Sequence, residues 1–411
     1  MQHVNPGLLA NLRTLPRAAW ILFLGTFLNK FGTFVIPFLT LYLTRQGYGP
    51  AQAGLAIAGY GVGNFIAAGL GGYLADRIGR RKTITLSMVS GAAAMLLLSQ
   101  ARSLPWIILL TALTGLTGEL YRPASSALLA DLVPAGQRVT AYAAYRMAFN
   151  AGWAFGPATA GFLAEHSFSW LFVGDAFTSL LFGVVAWLAL PHGVRGSAKE
   201  SGWPEAIKVL ALDKRLHQVL MASLAISLVF FQMSSTFGLH VTSCGLSSAT
   251  YGGLLSLNGA LVVCFELLLT SFTQRLPARR TMAVGYLLVG AGFALNAIAH
   301  GAPAFALAMI VFTFGEMVAM PVSAAYVAEL APAHLRGRYM GMVGFTWALA
   351  LTVGPALGML IYARSPLCLW LSCGSLGGLA ALIILVEPRR SEAAISDLEA
   401  IRHGEQTMHP H

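Results

Sequence analysis

The chain has 411 residues, of which 56% are hydrophobic and only 10% are charged. A soluble domain needs roughly 25% charged residues to cover its surface, so this composition, with a mean hydropathy of +0.69, excludes a water-soluble globule and points to an exterior facing lipid. The formal net charge of +10 would suit nucleic acid if the basic residues lined one surface, but their order along the chain gives them another origin.

The first element follows a basic flank, Arg13 and Arg17, and runs apolar over 18–44. That is longer than the roughly 7–15 apolar residues of a secretory leader, and no small-residue cleavage site follows it, so it is expected to stay in place as a membrane span. A helix crosses the hydrocarbon core with about 20 apolar residues. Further runs of that kind lie at 51–75, 82–101, 104–130, 138–163 and 168–190, and again at 215–241, 248–273, 280–300, 303–329, 338–362 and 365–386. The expectation is an all-α membrane protein of twelve helices: a first six-helix bundle over 1–190, a linker over 191–214, a second bundle over 215–387 and a tail over 388–411. In the linker, Trp203, Ile207, Leu210 and Leu212 beside Lys208 and Lys214 fit either a short interfacial helix or a plain connector.

Sorting the basic residues by this topology places Arg45, Arg102 and Arg364 on one side and Lys30, Arg122 and Arg146 inside spans; all the others share the side of the two chain ends. Basic loops are retained in the cytoplasm, so both termini are expected there, in a multi-pass protein of the bacterial inner membrane. The basic excess is then topological, and no nucleic-acid partner is expected.

The two halves repeat each other. Glu119, Pro123, Asp131, Pro134, Arg138 and Gly156-Pro157 are matched by Glu316, Pro321, Glu329, Pro332, Arg336 and Gly354-Pro355. From the prolines onward the separation is 198 (321 − 123, 329 − 131, 336 − 138), and between the glutamates it is 197 (316 − 119). Parallel repeats of this kind imply a transporter whose site sits near the midplane between them.

Some segments carry a family likeness. Gly72-Tyr73-Leu74-Ala75-Asp76-Arg77-Ile78-Gly79-Arg80-Arg81, between the second and third spans, resembles the signature loop of the major facilitator superfamily. The resemblance implies two parallel six-helix bundles with a cavity lined by helices 1, 4, 7 and 10. It also implies a latch of the outward-open state, in which Asp76 caps the eleventh helix near 336–340 and Arg80 pairs with Asp131; Arg77 and Gly79 complete the gating set. The second-half counterpart at 274–280 keeps Arg275, Arg279 and Arg280 but lacks the acid, so a weaker latch is expected there. Gly152, Gly156, Pro157 and Gly161 resemble the fifth-helix motif of the drug:proton antiporter branch, although Ala160 stands where a paired glycine is usual. Small residues four apart let helices approach closely, so packing alone also accounts for the motif.

Ionisable groups deep in a bilayer are costly and mark function. Lys30 falls midway along the first span, Glu119 and Arg122 along the fourth, Arg146 with Asn150 in the fifth, and Glu316 in the tenth. Glu119 and Arg122 share a helix face, and Arg146 has the depth to join them as a switch for proton coupling or as a fixed structural cluster. Glu316 has no basic neighbour, with Met320 in the place of Arg122; a carboxyl without a cationic partner suits a group that takes up and gives back a proton. Lys30 is either a cavity residue or the partner of Glu316 across the cavity. Asn29, Tyr121 and Gln232, with Asn258 and Trp347, are candidate cavity contacts, and Asp175 and Glu266 are left without roles.

No GxxxxGK[ST] loop is present, so no nucleotide is expected to power the protein. The histidines and the four cysteines, Cys244, Cys264, Cys368 and Cys373, match no metal spacing, and the cysteines read as buried inert thiols. The expectation is a monomeric, non-enzymatic transporter without a cofactor, driven by the proton gradient, that exports small amphipathic compounds. The alternative is proton-coupled import of an anionic nutrient or peptide, to which Lys30, Arg122 and Arg146 lend weight. A non-transporting receptor or scaffold on the same fold would have no use for midplane charges.

Overall fold

The computed structural model describes residues 14–134, 137–193, 213–273, 275–331 and 336–386. Among them there are helices and no strands. In hydrocarbon every backbone polar group needs an internal partner, and a helix supplies it within one segment. The first half contains α1 (Arg17–Arg45), α2 (Pro50–Arg77), α3 (Arg80–Gln100), α4 (Leu104–Leu132), α5 (Arg138–His166) and α6 (Ser169–Ala189). The second half contains α7 (Lys214–Phe230 and Thr236–Ser243), α8 (Ser248–Thr273), α9 (Ala278–Ala294), α10 (Ala302–Leu330), α11 (Arg336–Arg364) and α12 (Pro366–Leu385). Among the described residues, nine of these rods are long and apolar enough to cross a membrane. Of the other three, α7 is interrupted, α9 closes in a 3-10 turn at Leu295–Ala297, and α5 carries Arg146 and Asn150. The linker residues 194–212, with their suggested interfacial helix, and the tail 388–411 lie outside the described residues.

Two of the rods are broken at corresponding places. α1 divides into Arg17–Phe31 and Val35–Arg45, and α7 divides across residues 231–235. The break in α1 is held by Asp175 of α6, whose Oδ2 accepts from the backbone N–H of Phe34 (3.2 Å) and Val35 (3.4 Å). The break in α7 is held by Gln232, whose Oε1 accepts from Thr236 Oγ1 (3.0 Å) while its Nε2 donates to Gly354 O of α11 (3.0 Å).

The surface facing outward is apolar and aromatic: Trp106, Phe177, Leu188 and Leu382 are each more than half exposed, as lipid-facing residues should be. Three cysteines expected to be buried are exposed, Cys244, Cys264 and Cys368; Cys373 alone is buried. An apolar segment in lipid has no reason to turn its thiols inward, so hydropathy did not separate the two cases.

The halves meet along α5 with α8 and α2 with α11. Near the end away from the arginine-rich loops, small residues bring these helices close. A side chain at Gly161 would strike Ser248 O and Ala249, one at Gly252 would strike Pro157 O, and one at Gly61 would strike Thr352. The same end is pinned by the broken helices. Thr40 donates to Ser235 O (3.0 Å), and the fully buried Tyr251 hydroxyl lies 2.9 Å from Pro37 O and 3.0 Å from Met233 O. Arg45 also reaches Ser248 across the halves (3.0 Å). Toward the basic end the halves part around a cavity.

Candidate functional site

The first-half charges form one compact cluster. Glu119 Oε1 accepts from Lys30 Nζ (3.1 Å) and from the Tyr60 hydroxyl (3.0 Å), and its Oε2 lies 3.6 Å from Arg122 Nη1. Lys30 and Glu119 are buried, whereas the Arg122 side chain is 52% exposed. The Lys30 ammonium also lies over the rings of Tyr121 (5.5 Å) and Phe149 (5.1 Å), and the Arg122 guanidinium lies over Phe149 (5.6 Å). Two cations share one carboxylate here. Arg122 is ion-paired with it but at 3.6 Å makes no direct hydrogen bond, and its side chain is half exposed.

The second half repeats part of this arrangement. Asn258 Nδ2 donates to Glu316 Oε2 (2.8 Å) and lies 3.0 Å from Thr313 Oγ1. Asn258 is the repeat partner of Tyr60 (258 − 60 = 198), so each carboxyl receives one neutral donor from the equivalent helix. The cations are not repeated. Lys30 corresponds to Leu228 (228 − 30 = 198) and Arg122 to Met320 (320 − 122 = 198). The second-half carboxyl has one amide for company and no cation among the described residues.

Both clusters border a cavity of about 1270 Å³ between the halves. The first half lines it with Asn64, Phe65, Arg122, Phe149, Asn150 and Trp153. The second half contributes Phe230, Phe231, Asn258, Glu316, Phe345 and Trp347. Its lining residues carry two charges, Arg122 and Glu316, of opposite sign and from opposite halves. Along α2 and α11 the lining runs over 64–69 and 341–351, so the cavity extends from the midplane toward the basic end.

Several expected roles are corrected by this geometry. Of the residues assigned to the cavity, Asn150, Asn258 and Trp347 line it, but Lys30, Asn29, Tyr121 and Gln232 do not. Asn29 is buried against Met88 Sδ (3.6 Å), Tyr121 is fully buried in the first-half core, and Gln232 fills the break in α7. Lys30 pairs with Glu119 in its own half, not with Glu316. Arg146 does not join the Glu119 cluster; it reaches across to Glu266 of α8 at 2.7 Å. Depth along a helix was readable from sequence, but the direction in which each side chain leaves the helix was not. Tyr60 and the cavity aromatics other than Trp347 were missed, although the spacing of 198 that matched the prolines would have paired Tyr60 with Asn258.

The loop between α2 and α3 turns at Gly79, where φ is +99°, a conformation that favours glycine. Arg80 is buried, with Asp76 Oδ1 2.5 Å from its Nη1 and Asp131 Oδ2 3.5 Å from its Nε. The pairing with Asp131 was anticipated for a bundle closed at the basic end, and here it forms in one that is open there. Among the described residues Asp76 bonds to Arg80, not to the start of α11, and the side chains of residues 336–338 lie outside the description. Arg77 donates to the Tyr73 hydroxyl (2.7 Å). Arg81 and Arg279, again 198 apart, close the ends of α6 and α12, donating to Leu190 O (3.4 Å) and Val386 O (2.6 Å). On α5, side chains at Gly152 and Gly156 would strike the α1 backbone at Phe27 and Phe31. The glycines of the expected antiporter motif therefore stand where α5 packs on α1 and, through Gly161, on α8.

A two-fold repeated bundle of apolar helices, closed at one end around an aromatic cavity with midplane charges, defines a multi-pass membrane transporter. The Major Facilitator Superfamily model matches residues 22–273 and 240–407. The chain belongs to the major facilitator superfamily. It is 27% identical over 348 residues to the multidrug resistance protein MdtH of Yersinia pestis (strain Pestoides F), covering 82% of this chain and 84% of that one. It is 23% identical over 364 residues to a Na(+), Li(+), K(+)/H(+) antiporter of Planococcus maritimus, covering 80% and 85%. In fold it is similar to the solved nucleoside transporter NupG, with a TM-score of 0.78 at 16% identity, covering 90% of this chain and 99% of that one.

Proposed function

We propose that the protein is a proton-coupled exporter that exchanges protons for small amphipathic compounds by alternating access. The observation that carries this reading is Glu316: a carboxyl on the wall of an aromatic cavity, held by one amide and with no cationic partner among the described residues. A proton and the positive end of a substrate would compete for it, and competition for one group couples the two fluxes in opposite directions. The relatives named for multidrug resistance and for cation/proton antiport support export over import. In this reading the basic end faces the cytoplasm of a bacterium, with both termini there and the cavity open to it. The proton gradient is the sole energy source, and one chain suffices.

Arg122, half exposed in the same cavity, is the observation that favours the second reading, import of an anionic nutrient with a proton. Inverted vesicles separate the two. Export predicts that adding substrate dissipates an imposed inside-acid gradient and that Glu316→Gln abolishes this. A gradient untouched by every compound the protein moves would overturn proton coupling.

A further inference from the structure

We propose that the cavity is built for amphipathic zwitterions, whose anionic group meets Arg122 and whose cationic group meets Glu316, with an aromatic or aliphatic body between them. This rests on the transport reading above and names the substrate class for the same cavity.

The cavity is lined from both halves, and each half supplies one charge: Arg122 from α4 and Glu316 from α10. Neither is neutralised by the other's cluster. Glu119 is engaged through Oε1 by Lys30 and Tyr60, and Arg122 stands 3.6 Å from its other oxygen. The trio of Lys30, Glu119 and Arg122 holds two cations and one carboxylate, so the first-half wall is left with positive charge. The second-half wall has a carboxyl with no cationic partner among the described residues, and Leu228 and Met320 stand where the repeat would place Lys30 and Arg122. Asp175 is not among the residues that line the cavity; it sits behind the wall, with its Oδ2 accepting from the amides of Phe34 and Val35 in the break of α1.

A monocation would answer Glu316 and leave Arg122 facing an apolar chamber; a monoanion would do the reverse. A molecule with both charges satisfies both walls and adds no net charge. The remaining lining suits its body: Phe65 and Phe345 meet edge to face across α2 and α11 (5.5 Å), and Trp347 packs against Phe230 and Phe231 (5.1 and 5.7 Å). A ligand anchored on both halves is also sensitive to their relative position, which a ligand held by one half is not.

The test is a matched series titrated calorimetrically into the full-length protein in nanodiscs, with empty nanodiscs as control. The three probes are an aminomethyl-biphenyl-carboxylic acid (zwitterion), its methyl ester (monocation) and its N-acetyl derivative (monoanion). The zwitterion should bind about tenfold or more tighter than either single-charge analogue, the value of one charge-assisted contact. Arg122→Gln should bring the zwitterion down to the level of the ester and leave the ester unchanged. Glu316→Gln should bring it down to the level of the N-acetyl compound. The comparison on the unaltered protein stands even if a variant fails to fold. An ester that binds as tightly as the zwitterion, a monoanion that does so, or no binding by all three would overturn the proposal. The transport reading fails separately: if the zwitterion binds in this pattern but leaves the pH gradient of inverted vesicles intact, the substrate class stands and proton exchange does not.

Discussion

Replacing Glu119 by Gln tests whether the first-half cluster is the fixed framework against which Arg122 is presented. The substitution keeps size and one carbonyl oxygen but removes the negative charge shared by Lys30 and Arg122. Lys30 is buried, so its ammonium would be left with the rings of Tyr121 and Phe149 and one neutral acceptor. Removing one partner of a buried pair costs about 3–5 kcal/mol. The remaining amide contact and cation–π attraction return about 1–2 of that, which leaves a loss of about 2–3 kcal/mol. The reporter is a cysteine at the fully buried Ala124 of α4, in a background with the four native cysteines replaced, read by a thiol-reactive dye. Its equilibrium exposure should rise about 30- to 150-fold. Adding Lys30→Met removes the orphaned ammonium and should recover at least half of the loss, which is the signature of direct coupling. Unchanged exposure in Glu119→Gln, or a simple sum of the two losses in the double variant, would refute the argument.

Two further perturbations address the ends of the bundle. Tyr251→Phe removes the hydroxyl that reaches Pro37 O and Met233 O in the buried closure. The two carbonyls lose the single donor they share, at about 1–3 kcal/mol, so labelling of a cysteine at buried Leu39 by an impermeant maleimide added from that side should accelerate at least fivefold; an unchanged rate would remove Tyr251 from the closure. Asp76→Asn weakens the bond to Arg80 and leaves Arg80 to Asp131. Equilibrium binding should stay within about twofold while turnover falls severalfold, as expected for a charge-assisted contact used in only one state; unchanged turnover would dispose of the latch.

The class of fold was legible because lipid imposes so much: about 20 apolar residues per crossing and internal satisfaction of the backbone leave few alternatives once the basic loops are sorted. The site was legible only in depth. Lys30, Glu119, Arg122, Arg146 and Glu316 were placed near the midplane from their position in each span, yet beyond the pair of Glu119 with Arg122 their partners were not foreseen. Arg146 was expected beside Glu119 and stands against Glu266, 120 residues away, and Asp175 serves backbone amides 140 and 141 residues distant. A side chain's direction around its helix depends on the break upstream and on the neighbour it packs against. The break in α1 falls at Gly32-Thr33-Phe34 and that in α7 at residues 231–235, neither marked by proline. What sequence did carry was the repeat, and its arithmetic reached further than the motifs did, for it relates Tyr60 to Asn258 and Arg81 to Arg279.

That repeat makes a final prediction about why the two carboxyls differ. If Glu316 is free because Leu228 stands where the first half has Lys30, then Leu228→Lys should recreate in the second half the pair seen at 3.1 Å in the first. The corresponding helices meet in both halves, more tightly in the first: a side chain at Gly156 would strike the α1 backbone at Phe31 and approach Lys30 O, whereas one at Gly354 would only touch Leu228. Glu316 stands one residue out of the 198 register (316 − 119 = 197), so the reach of the new ammonium to Glu316 is what the variant tests. The expected outcome is a loss of about tenfold or more in affinity for the monocationic ester, with the pH dependence of its binding lost as well. The N-acetyl anion, which needs Arg122 alone, should bind as before, and Leu228→Met should behave as the unaltered protein. Undiminished binding of the ester to Leu228→Lys would show that the two halves are equivalent in sequence spacing but not in the directions of their side chains, and the absence of a cation at position 228 would then no longer account for an unpaired Glu316.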